Sequence, residues 1–149
     1  NVVKTHDPNH PTVNVSTGLW YSGSASSTER AYSRQLLSMG DGVTMFSLAP
    51  QVTSMTTIDA MFAELKTLFS GDIGAFLPVW IDNLEPSYPM ASTQQMVDAA
   101  MAAKRGGAKY LACWGYKDFR VPIRYSTIGD NATIKPRWLA AVSQIRAQW

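Results

Sequence analysis

A chain of 149 residues, 46% of them hydrophobic, is enough for one ordinary domain and can bury a core without metal or disulfide staples. The formal net charge of +2 comes from scattered residues, with Lys104-Arg105 as the basic pair in mid-chain, so there is no electrostatic footprint for nucleic acid or an anionic membrane surface. No apolar run approaches the roughly 20 residues of a membrane span and no signal-peptide pattern is present, so a soluble domain with neither a nucleic-acid nor a membrane partner is expected.

The chain opens at Asn1 on a polar, loop-like segment, NVVKTHDPNHP, a start that suggests a processed or excised piece. Thr12–Trp20 carries Val13, Val15 and Leu19 among β-branched neighbours and reads as a first strand. Ser26 and Glu29 then make an S-x-x-E capping box ahead of Tyr32, Leu36, Leu37 and Met39 at helical spacing. Gly40-Asp41-Gly42 ends that helix and leads into VTMFSLAP, Val43–Pro50, a short apolar run of the kind buried on both faces of a sheet. Thr56 with Asp59 resembles the next helix start, and Ile58, Met61, Phe62, Leu65, Leu68 and Phe69 form an apolar stripe stopped by Gly71.

A third strand is expected over Gly74–Ile81, where Pro78 cannot donate to a ladder and marks an edge or a bulge. Ser92 with Gln95 makes a further capping box for an alanine-rich helix, Gln94–Arg105, closed by Gly106-Gly107. Lys109–Tyr116, KYLACWGY, reads as a fourth strand, and its Cys113 is the chain's one cysteine, which excludes an internal disulfide. In an apolar run that cysteine is better read as a small buried hydrophobe than as a reactive thiol. A long irregular segment follows, and Pro136 at a first helical turn opens RWLAAVSQIRAQW.

The order β-α-β-α-β-α-β-α within a single domain, residues 1–149, predicts an α/β fold of four βα units with a parallel sheet covered by helices. The helix-to-strand turns are tight and glycine-rich (Gly40–Gly42, Ser70–Gly74, Arg105–Ala108), whereas strand-to-helix loops are long, above all Asp82–Ala91 and Lys117–Lys135. Ligands of α/β proteins bind at the carboxyl ends of the strands, so these long loops mark the expected functional edge.

Four local patterns, in this order, resemble the carboxyl-terminal half of a (β/α)8-barrel glycoside hydrolase of the cellulase and β-galactosidase type. KTHDPNHPT (Lys4–Thr12) is similar to the turn before such a barrel's fifth strand, and GDGVTMFSLAP (Gly40–Pro50) to its sixth strand. FLPVWIDN (Phe76–Asn83) is similar to the seventh, and KRGGAKYLACWGY (Lys104–Tyr116) to an eighth strand ending in tryptophan. The resemblance implies half of a TIM-type barrel, with closure into a flavodoxin-like open sheet as the alternative. A four-stranded half leaves two sheet edges and an inward face unsatisfied, which implies a second half-barrel or a homodimer.

Glycosidases use two carboxyl groups across an oxocarbenium-like transition state. In the family resembled here the proton donor ends the fourth barrel strand, which this chain lacks, and the nucleophile or base ends the seventh. That correspondence makes Asp82 and Glu85 the catalytic candidates, although the family's nucleophile is a glutamate on the strand itself. The plain structural alternative is that Asp82-Asn83 starts a turn by capping its own backbone while Glu85-Pro86 is solvated. Aromatic residues gather where the strands are expected to end. Trp20, Tyr21, Trp80, Trp114 and Tyr116 suit the C–H faces of sugar rings, with Asn83, Lys117 and Asp118 to hydrogen-bond hydroxyls.

The expected ligand is therefore a poly- or oligosaccharide, hydrolysed in the complete barrel and at most bound by this chain alone. Secretion or a periplasmic location would follow from that role. His6, Asp7 and His10 sit in a rigid Asp-Pro-Asn-His-Pro turn on the opposite edge, so no metal is expected. Gly40-Asp41-Gly42 and Gly106-Gly107 precede strands instead of following them, the wrong context for a phosphate loop, so no nucleotide cofactor is expected. The Asn131-Ala132-Thr133 sequon is a chance spelling unless the protein is secreted from a eukaryote. Two other function classes remain open: a non-catalytic α/β binding or self-assembly module, and a flavodoxin-like small-molecule binder using Tyr21–Ser27, YSGSASS, to hold phosphate.

Overall fold

The computed structural model describes residues 9, 13–16, 25–38, 43–48, 53–78, 80–82, 89–114, 125–127, 129 and 131–149. Within them the chain is α/β. In order it forms β1 (Val13–Ser16), α1 (Ser27–Ser38), β2 (Val43–Ser47), α2 (Met55–Leu68), β3 (Asp72–Pro78) and β4 (Trp80–Asp82). Then come α3 (Thr93–Arg105), β5 (Ala108–Trp114), β6 (Tyr125–Thr127) and α4 (Ile134–Gln148).

Strands β1, β2, β3 and β5 form one sheet in that spatial order, every neighbouring pair parallel, while β4 and β6 form a separate antiparallel pair. A doubly wound, flavodoxin-like sheet places its first strand in the interior and adds strands on both sides. Here β1 lies at one edge and the strands follow in chain order. Right-handed crossovers through such an order deliver their helices to one face. The helices agree: α1 packs on α2, α2 on α3 and α3 on α4, and α3 also packs on both β3 and β5.

The core lies between this helix layer and the sheet. Ile58, Phe62 and Leu65 of α2, Ile73, Ala75 and Leu77 of β3, and Ile134, Ala141 and Ile145 of α4 are buried together. Alternate residues of β3 thus supply one buried face. Helix α3 contributes mainly small side chains, Ala99, Ala100, Ala102 and Ala103, all fully buried, which let it lie close to the strands beneath it.

Local chemistry explains the boundaries. Both capping boxes form: Ser26 N–H donates to Glu29 Oε2 at 2.7 Å and Glu29 N–H to Ser26 Oγ at 3.2 Å, while Ser92 N–H donates to Gln95 Oε1 at 2.8 Å and Gln95 N–H to Ser92 Oγ at 3.1 Å. The helix expected to cap at Thr56 is capped two residues earlier, because Ser54 is the N-cap and its Oγ accepts from Thr57 N–H at 3.1 Å. Phe69, counted above with the stripe, is the extended C-cap of α2 and is buried from there.

Gly106 is needed for packing and Gly107 for the turn. A Cβ on Gly106 would stand 2.4 Å from Phe62 Cγ, so the end of α3 can approach α2 only without a side chain, and Gly107 turns the chain into β5 at φ +84°. The expected third strand is divided. The parallel ladder of β3 ends at Pro78, and Trp80–Asp82 pairs instead with Tyr125–Thr127. A proline cannot donate onward in the ladder, so a change of partner follows it naturally. The segment after β5, expected to be irregular as far as Lys135, therefore contains a strand, β6.

Candidate functional site

The carboxyl edge of the sheet is built around that change of partner. Trp114, the last residue of β5, lies in register with Pro78, the last residue of β3. Two residues of chain span at most about 7 Å, so β4 starts at this edge. In the β4–β6 pair Trp80 stands opposite Thr127, Ile81 opposite Ser126 and Asp82 opposite Tyr125. The two longest strand-to-helix connections, after β3 and after β5, are thereby tied to each other by a ladder at one edge.

The helix starts at this edge are braced as well. Asn131 Oδ1 accepts from Thr133 N–H at 2.9 Å and Ile134 N–H at 3.2 Å, capping α4 from outside the helix. The sequon asparagine therefore has a structural task. Thr93 Oγ1 donates to the Arg137 carbonyl at 3.4 Å, joining the starts of α3 and α4. Where a phosphate would have to sit, at the start of α1, the Glu29 carboxylate already takes the Ser26 N–H, and hydrogen bonding by the Ser26 side chain, then by its backbone, holds the Glu29 pKa below the ordinary value. An anion at the start of α1 would meet that negative charge.

Of the residues proposed from sequence, Trp80, Asp82 and Trp114 belong to the strands of this edge. Glu85, Trp20, Tyr21, Asn83, Tyr116, Lys117 and Asp118 lie outside the described residues, as do His6, Asp7, His10 and the Gly40–Gly42 turn. Sequence reading missed Tyr125–Thr127. Its signal is an aromatic and a threonine in three residues, too short for any periodicity to register.

The amino edge is organised for stability. Lys109 Nζ lies 2.6 Å from Asp72 Oδ1, and Tyr110 Oη donates to Asp72 Oδ2 at 3.2 Å, joining the starts of β3 and β5. The hydrogen bond from Lys109 lowers the Asp72 pKa, and the same bond raises that of Lys109. Between helices, Arg34 Nε meets Glu64 Oε1 at 2.7 Å and Arg105 Nη2 meets Asp59 Oδ1 at 3.0 Å. Asp59, Glu64 and Asp72 are thus each held by a cation.

Cys113 is partly buried and packs against the core, and burial raises its thiol pKa, which leaves it a poor nucleophile at neutral pH. Among the described residues no group of three His, Cys, Asp or Glu side chains could hold a metal ion, and no helix is long and apolar enough to cross a membrane. A groove of about 520 Å³ opens elsewhere, between β5 and α4, lined by Leu111, Trp138, Leu139, Val142, Ile145, Arg146 and Trp149. Comparison of the chain with protein-family models, curated proteins and solved structures finds no match.

Proposed function

We propose that this chain is a carbohydrate-directed half-barrel of the glycoside hydrolase type, four βα units whose carboxyl strand edge engages a poly- or oligosaccharide. The observation that carries the reading is the β4–β6 pair, which sets the strand bearing Trp80 and Asp82 at the end of β3, beside the strand that ends in Trp114. Trp80 and Asp82 lie two positions apart on that one strand. An aromatic platform next to a carboxylate is the pairing that a sugar ring and its developing positive charge call for. The sequential strand order supports the barrel-like assignment over an open doubly wound sheet.

In this account Trp114 and Trp80 hold sugar rings, with Trp20, Tyr21 and Tyr116 as further platforms and Asn83, Lys117 and Asp118 as hydroxyl partners. Asp82, or Glu85 beyond it, is the second carboxylate, stabilising the oxocarbenium-like transition state as nucleophile or base. Protonation of the leaving oxygen needs another acid, supplied from outside this chain, so the chain alone binds and does not cleave. Calorimetric titration with a panel of soluble oligosaccharides tests this. Saturable binding that weakens at least about tenfold in Trp114→Ala is expected, and no binding across the panel, or binding indifferent to Trp114→Ala, would overturn it.

A second reading, a non-catalytic module for self-assembly, is favoured by one observation, the apolar groove beside the edge strand β5. The two readings share a fold and differ in what the carboxyl edge does.

A further inference from the structure

Among the described residues the helix layer has two open flanks. At one, β1 pairs only with β2, and α1 carries Tyr32 62% and Leu36 50% exposed. At the other, β5 pairs only with β3, the groove runs between β5 and α4, and Leu139 and Trp149 are 56% and 37% exposed. The inner helices α2 and α3 carry none of the exposed large apolar residues. Apolar exposure among the described residues is thus concentrated at the two flanks of the layer.

The two flanks also match each other. Read from its start, α1 presents Glu29, Tyr32 and Leu36, a carboxylate followed by two apolar side chains, all exposed. Read from its start, α4 presents Lys135, Leu139 and Val142, an ammonium followed by two apolar side chains, with Lys135 and Leu139 exposed and Val142 lining the groove. The spans agree, positions 29 to 36 and 135 to 142. Both helices run the same way. Helix α1 must return from the end of β1 to the start of β2, as α3 does from β3 to β5, and α4 is parallel to α3. Thr93 at the start of α3 bonds the Arg137 carbonyl, and Lys104 near its end bonds the Gln148 carbonyl.

We propose that the occupant of the β5–α4 flank is the β1–α1 flank of a second copy of this chain. Placing β1 of the second copy beside β5 as a further parallel strand brings its α1 alongside α4. Glu29 then stands level with Lys135, and Tyr32 and Leu36 enter the groove. Because each copy owns both flanks, the same contact forms twice about a two-fold axis and closes an eight-stranded sheet with no free edge. A second copy is favoured over an unrelated partner because the acid-headed stripe and the cation-headed groove are on one chain. The inference rests on the half-barrel part of the proposed function and is independent of saccharide binding.

Sedimentation equilibrium of the whole chain at tens of micromolar tests it, with circular dichroism to confirm that each variant is folded. The wild type is expected to be a dimer, and Leu139→Asp a folded monomer. Tyr32→Lys, on the opposite flank, is expected to give the same result and serves if Leu139→Asp does not fold. Lys135→Glu is expected to weaken dimerisation about tenfold, and adding Glu29→Lys to restore it. A wild-type monomer, a dimer untouched by both flank variants, or a swapped pair no tighter than Lys135→Glu alone would each overturn the proposal. A monomer that still binds saccharide would overturn the dimer and leave the proposed function standing. A dimer that fits these expectations without saccharide binding would do the reverse.

Discussion

The inner helices, α2 and α3, and the outer helices, α1 and α4, are built from one alphabet to different degrees of completion. The inner pair is closed on both sides: Phe62 fits against Gly106, Arg105 reaches Asp59, and the alanines of α3 vanish beneath their neighbours. The outer pair buries one side only, through Leu37 on α1 and Ile134, Ala141 and Ile145 on α4, and leaves Tyr32, Leu36, Leu139 and Trp149 in water. Among the described residues an inner helix has a helix on either side and an outer one has a single helical neighbour, so the same amphipathic logic leaves an apolar remainder at each flank. The difference teaches that, among the described residues, the inner helices are saturated by their neighbours and the two flanks are not.

The contrast can be broken by mutation. Phe62→Ala, at the fully buried centre of the inner pair, is expected to cost about 3–5 kcal/mol in urea denaturation, and a cost below about 1 kcal/mol would mean the inner layer is not tightly packed. Gly106→Ala is expected to cost about 1–3 kcal/mol, since its Cβ has no room beside the Phe62 ring. With Phe62→Ala already present that cost should shrink, and strict additivity would contradict the contact. Tyr32→Ser on the outer flank, measured in the monomer, is expected to change stability by no more than about 0.5 kcal/mol. A loss as large as that of Phe62→Ala would show that α1 is covered within one chain.

The smallest effect is electrostatic and belongs to the amino edge. Asp72 has a lowered pKa, so its share of the stability is complete above the ordinary carboxylate range, near 3.9, and is lost as pH falls through its folded value. Lys109 has a raised pKa, so its share is complete below about 10.4 and is lost as pH rises through its folded value. The difference in urea midpoint between wild type and Lys109→Met should therefore be flat from about pH 5 to 9 and narrow at both extremes. A difference that varies within that plateau would assign the coupling to other groups.

Much of the fold was legible because it is local. Ser26 with Glu29 and Ser92 with Gln95 announce their helices by a three-residue spacing, and the apolar runs of β2, β3 and β5 stand out without knowledge of their partners. Pro78 was readable as an irregularity, yet its outcome was not, because the new partner of Trp80–Asp82 lies more than forty positions away at Tyr125–Thr127. Strand order was equally hidden, since the same βα alternation serves barrels and doubly wound sheets. For the candidate site, loop lengths pointed to the carboxyl edge, and Trp80, Asp82 and Trp114 are residues of strands that end or start there. The groove at β5 and α4 was not foreseen, because Leu111 and Trp149 become neighbours only when the helix docks beside the strand.

The central claim is that saccharide is met at the carboxyl edge. The most direct test is a two-dimensional amide NMR titration with the tightest-binding oligosaccharide. The account predicts shifts concentrated at Trp80–Asp82, Trp114 and Tyr125–Thr127, with the Asp72–Lys109 end of the same strands unmoved. Shifts centred on the α4 groove or on the amino edge, or none at saturating sugar, would contradict it.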